Sequence, residues 1–117
     1  MLMLSPNTRI FVATSHVDMR KSLDGLSLLV QEVLQQNPLS GHLFVFLNRR
    51  SDKLKILYWD RNGFCLWYKR LEKHRFRLPK ISGPVYTVSA TELGMILEGI
   101  DLTDQRRMES LDYDKVN

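Results

Sequence analysis

Leu54-Lys55-Ile56-Leu57-Tyr58-Trp59-Asp60, Arg61-Asn62-Gly63, Phe64-Cys65-Leu66-Trp67-Tyr68-Lys69-Arg70 is the stretch on which the fold turns. Two apolar and aromatic runs flank a turn-forming tripeptide, the pattern of a β-hairpin. Gly63 is free to take the left-handed backbone that closes a three-residue loop. That loop pairs Ile56 with Tyr68 and Tyr58 with Leu66, whereas a two-residue Asn62-Gly63 loop would set Ile56 against Lys69. The three-residue register predicts one face with Leu54, Ile56, Tyr58, Leu66 and Tyr68. Lys55, Leu57, Trp59, Cys65, Trp67 and Lys69 then occupy the other.

Working outward, Leu43-Phe44-Val45-Phe46-Leu47 is apolar without alternation, as in a strand covered on both faces, and is placed at the sheet centre. Arg9 to Ala13 reads as a strand leading into Thr14, Ser15 and Asp18, which favour helix starts. From Met19 the residues Leu23, Leu26, Leu29, Val30, Val33 and Leu34 recur at helical spacing until Asn37-Pro38. Gly25 inside this helix suggests close packing against a neighbour. Lys73, Arg75 and Arg77 alternate with His74, Phe76 and Leu78, the pattern of a further strand, and Val85 to Val88 makes another. Ser89-Ala90-Thr91-Glu92 fits a capping box opening a short helix with Leu93, Ile96, Leu97 and Ile100 on its apolar side and Gly99 as its stop. The expected fold is α+β: a mostly antiparallel sheet of about five strands packed against one long and one short helix. Residues 1–117 read as a single domain, with a folded core over about 9–100 and a polar, acidic tail over 101–117.

Charge is unevenly distributed. The chain has 17 Lys and Arg against 13 Asp and Glu, net +4. Between Arg49 and Lys80 stand eleven of these bases against Asp52, Asp60 and Glu72, leaving that segment at +8 and the remainder, six bases against ten acids, at −4. A basic segment of this kind suits a polyanion or an acidic protein surface, and solvated strand edges use the same residues. The candidate contact residues are Arg49, Arg50, Lys53, Lys55, Arg61, Lys69, Arg70, Lys73, Arg75 and Arg77. Trp59 and Trp67 join them as bases for stacking, unless the first helix covers both rings.

Enzymatic constellations are missing from the pattern. There is no glycine-rich phosphate loop, and His16, His42 and His74 are too far apart in sequence to suggest a metal site. The lone Cys65 lies between apolar neighbours and leaves no partner for an internal disulfide. Asp18, Asp52 and Asp60 read as cap and turn residues rather than metal ligands. No catalytic residue, metal or cofactor is therefore expected, and the protein is read as a non-enzyme. With no basic leader and no long apolar run, a cytoplasmic location away from the membrane is expected.

Several ordered motifs carry a resemblance: Asp18-Met19-Arg20-Lys21, Asp24-Gly25-Leu26, Gly41-His42-Leu43-Phe44-Val45-Phe46, Tyr58-Trp59-Asp60, Gly63 to Glu72, and Leu97-Glu98-Gly99-Ile100-Asp101. From about Arg9 to Asp101 the chain resembles the Orf2-like, or TnpB, proteins of bacterial insertion sequences of the IS-sixty-six family, which are distinct from the RNA-guided nuclease that shares the name TnpB. The resemblance implies an accessory role in transposition beside a larger transposase that holds the catalytic carboxylates. The implied partners are DNA at the element ends, the transposase, or both. It assigns no binding residue. Two modes follow as expectations: DNA binding through a basic β-hairpin face, or docking on the transposase or another element-encoded protein without DNA contact.

Overall fold

The computed structural model describes residues 4–100. The elements are β1 (Ile10–Ala13), α1 (Leu23–Glu32), β2 (Leu43–Leu47), β3 (Lys53–Asp60), β4 (Gly63–Arg70), β5 (Val85–Val88) and α2 (Ala90–Leu97). They form one sheet in the order β4-β3-β2-β1-β5. All five β2 residues are buried, which matches the unbroken apolar run and the central position. Three pairings are antiparallel, but β1 and β2 run parallel with Ile10 opposite Leu43, so the sheet is mixed. The reason is the connection: β1 reaches β2 through α1, and a helical crossover returns the chain in the same direction.

Each face of the sheet carries a core. Phe11, Phe44, Phe46 and Leu57 pack with Leu26, Val30 and Leu34 from α1 and its end. On the reverse face Val12, Val45, Leu54 and Ile56 pack with Leu93 and Ile96 of α2 and with Phe76. The two helices have ten and eight residues, not one long and one short. α1 starts later than its apolar pattern suggests because Asp18 does not cap it: the carboxylate accepts the Arg20 N–H at 2.8 Å and the Arg20 guanidinium at 2.6 Å. It stops early where Gln35 turns left-handed (φ 54°) and the Gln36 N–H donates to the Val30 carbonyl at 3.0 Å. The atoms nearest to a Cβ at Gly25 would be those of the Lys21 side chain, from 3.4 Å, so the neighbour it packs against is the segment just before α1. In α2 both bonds of the Ser89–Glu92 capping box are present, and Gly99 adopts the left-handed φ of 79° just beyond it.

The β3–β4 hairpin differs from expectation by one residue. Asp60 pairs with Gly63, so the loop is Arg61-Asn62, and Arg61 rather than Gly63 takes the left-handed conformation, φ 49°. Tyr58 therefore opposes Cys65, and Ile56 opposes Trp67. A one-residue shift sends every β4 side chain to the other face. Tyr68 thus lies with Lys55 and Leu57 on the α1 side, and the two tryptophans lie on opposite sides. The alternating segment 73–78 is not a strand. It crosses the sheet as a loop, tied to the β2–β3 turn by Leu71 N–H to the Asp52 carbonyl at 2.8 Å and Phe76 N–H to the Ser51 carbonyl at 2.7 Å. Left-handed His74 (φ 68°) breaks the extension, and Phe76 plugs the core. The polar tail expected over 101–117 lies outside the described residues.

Candidate nucleic-acid interface

The pairing directions bring three connections to one end of the sheet: 14–22 after β1, 48–52 between β2 and β3, and 71–84 after β4. Among the described residues that end carries Arg20, Lys21, Arg49, Arg50, Lys53, Arg70, Lys73, Arg75, Arg77 and Lys80. Its acids are Asp18, Asp52 and Glu72, and each is already engaged. Asp18 pairs with Arg20 at 2.6 Å, Glu72 with Arg70 at 2.9 Å, and Asp52 accepts the Asn48 amide at 2.6 Å. The Arg20 hydrogen bond is the main reason the Asp18 carboxyl falls to about 2. The Asn48 bond likewise lowers that of Asp52. Two of the three acids are matched by an arginine of the same end, and ten bases against three acids leave the excess there positive.

On the α1 side of this end lies a groove of about 910 Å³. Asp18, Met19 and Arg20 form one wall and Arg49 and Arg50 another, while Lys53, Lys55, Leu66 and Tyr68 supply the sheet surface between them. Lys55 fixes the geometry: its ammonium donates to the Met19 carbonyl at 2.7 Å and the Lys21 carbonyl at 2.9 Å, tying the first wall to β3. Tyr68, 48% exposed, lies beside it with the ammonium 5.9 Å from the ring centroid. A second hollow of about 440 Å³ includes Arg77 and Lys80, and His16 borders both.

The sequence-derived residues therefore divide. Arg49, Arg50, Lys53 and Lys55 meet in the groove. Arg70, Lys73, Arg75 and Arg77 are exposed at the same end outside it. Lys69 points to the α2 side and donates to the Leu97 carbonyl at 2.9 Å, closing the C-terminus of that helix. Arg61 sits at the opposite tip of the hairpin, about 25 Å along β3 at the usual rise per residue. Trp59 meets Phe64 edge-on at 5.1 Å, and Trp67 packs against the α2-side core. Neither tryptophan lines the groove. Arg20 and Tyr68 were missed. Arg20 stands 29 residues before Arg49 in sequence, and the face taken by Tyr68 depends on a register that the turn residues do not fix. His42 serves the backbone, its Nδ1 accepting the Arg9 N–H at 2.9 Å. Among the described residues no three His, Cys, Asp or Glu side chains come together as a metal site.

The family described as "IS66 Orf2 like protein" matches residues 8–107. The chain belongs to this family. Membership makes it an insertion-sequence accessory protein in kind, associated with the transposition machinery. This Orf2-like chain is similar to two proteins of Sinorhizobium fredii. "Uncharacterized protein y4hO" is 45% identical over 101 residues, covering 86% of this chain and 88% of that one. "Uncharacterized protein y4jC" is 37% identical over 103 residues, covering 88% of each. No solved structure matches the chain. No helix among its described residues is long and apolar enough to cross a membrane.

Proposed function

We propose that this Orf2-like protein is a non-catalytic accessory factor that binds DNA phosphates at or near the element ends through the basic end of its sheet. The carrying observation is the charge arrangement: ten cations, eight from the three connections and two from the adjoining ends of β3 and β4, converge there, while the three nearby carboxylates are held by Arg20, Asn48 and Arg70. Phosphate contacts give affinity and position without reading sequence, so clustered, exposed, flexible cations suit the task. The hairpin supplies the strand ends that carry Lys53 and Arg70, whereas its tip at Arg61 is remote from the surface.

The test is fluorescence anisotropy of a labelled duplex carrying the terminal repeat, with a scrambled duplex beside it, over a range of salt. Affinity that falls steeply and log-linearly with salt supports phosphate contact, and tighter binding to the terminal repeat supports recognition of element ends. No salt-dependent binding to either duplex removes the reading in favour of a basic surface that docks on the transposase or another element-encoded protein.

A further inference from the structure

Cations alone do not account for the groove. Beside Lys53 and Lys55, the surface between its walls has an apolar part: Leu66 and Tyr68 of β4 lie with Val17 and Met19 of the facing segment. Tyr68 is nearly half exposed, while the other large aromatics among the described residues are more deeply covered. The ring projects from a strand paired along its length with β3, where Tyr68 stands opposite Lys55, and the ammonium over it donates to two backbone carbonyls. β4 is the edge of the sheet, so the groove opens sideways and a chain can enter without threading.

A duplex meets such a groove poorly. Its bases are stacked and paired, so it offers phosphates to the rim and nothing to a recessed aromatic floor. An unpaired strand satisfies both parts: phosphates against Arg49, Arg50 and Lys53, and a turned-out base on the face of Tyr68. Resting on the DNA-binding reading above, we infer that the groove holds single-stranded DNA, with Tyr68 as the stacking platform. Trp59 and Trp67 play no part in it.

Labelled oligothymidylate, the same length of duplex, and single-stranded RNA of matching length serve as probes for the full chain and for Tyr68→Ala and Tyr68→Phe. The expected result is tighter binding of the chain to single-stranded DNA than to duplex. Tyr68→Ala should weaken single-strand binding roughly tenfold, the scale of one lost base stack, with an unchanged salt slope and unchanged duplex affinity. Tyr68→Phe should retain binding, since the ring and not the hydroxyl makes the contact, and it also guards against a folding defect in the alanine variant. Equal losses on duplex and single strand, or no loss on either, overturn the stacking platform while leaving salt-dependent duplex binding intact. Preference for RNA overturns the choice of strand. Absence of binding to every probe removes this inference together with the reading on which it rests.

Discussion

Replacing Arg49 and Arg50 together by glutamine tests the groove's electrostatics with a calculable effect. Of the five cations bordering it, Arg20 is bound to Asp18, and Lys55 is committed to two backbone carbonyls. Arg49, Arg50 and Lys53 remain available for phosphates. Each phosphate neutralised on a single strand contributes about −0.7 to the slope of log affinity against log salt, so three contacts give about −2 and the double variant retains about −0.7. Between 50 and 200 mM salt the loss of affinity should shrink from about twentyfold to about threefold. Both arginines are exposed in the β2–β3 turn, so stability should change by no more than about 0.5 kcal/mol. The assay is anisotropy with labelled oligothymidylate at four or more salt concentrations, with thermal unfolding as the folding control and Arg61→Gln as the remote control. An unchanged slope in the double variant, or an equal fall with Arg61→Gln, refutes the placement of phosphates in this groove.

Other consequences concern the scaffold. A Cβ at Gly94 would meet nothing within 4 Å, so Gly94→Ala should raise stability in chemical denaturation by about 1 kcal/mol through helix propensity. Lys69→Met removes the donor to the Leu97 carbonyl and should cost about 1–2 kcal/mol, accompanied by faster amide exchange in the last turn of α2. Asp18 has a folded-state value of about 2 against an ordinary 3.8. Because that value is depressed, its contribution to stability is present above the ordinary carboxylate range and is lost as pH falls toward about 2. Carboxyl-detected NMR titration should place the Asp18 midpoint well below the ordinary 3.8, and Arg20→Ala should move it upward.

The elements were legible where local chemistry is unambiguous. The unbroken apolar run at Leu43–Leu47 gave a buried central strand, and Ser89 with Glu92 gave a helix start whose two reciprocal bonds are both present. The hairpin was visible, but its register hung on which residue turned left-handed. Glycine at position 63 is the cheaper choice in isolation, and the ladder instead pairs Gly63 and strains Arg61. That single residue decides whether Tyr68 faces Lys55 or the opposite core. The alternation at 73–78 looked like a strand because period-two patterning records only which side chains are buried. Phe76 can be buried by a loop as well as by a strand. The basic segment was equally visible, but sequence proximity grouped Arg61 with Arg50, while the fold separates them by the length of a strand and brings in Arg20 from the crossover. Charge clusters formed by strand ends follow topology, and topology here includes a parallel pair that a list of strand segments does not reveal.

The most direct test of the basic end as the DNA surface is hydrogen–deuterium exchange of the full chain with and without saturating DNA. Protection over 14–22, 48–55 and 66–80, with no change at the Arg61-Asn62 tip, is the predicted map. Protection centred on the hairpin tip or on the exposed side of α1, with the three connections unchanged, would contradict it.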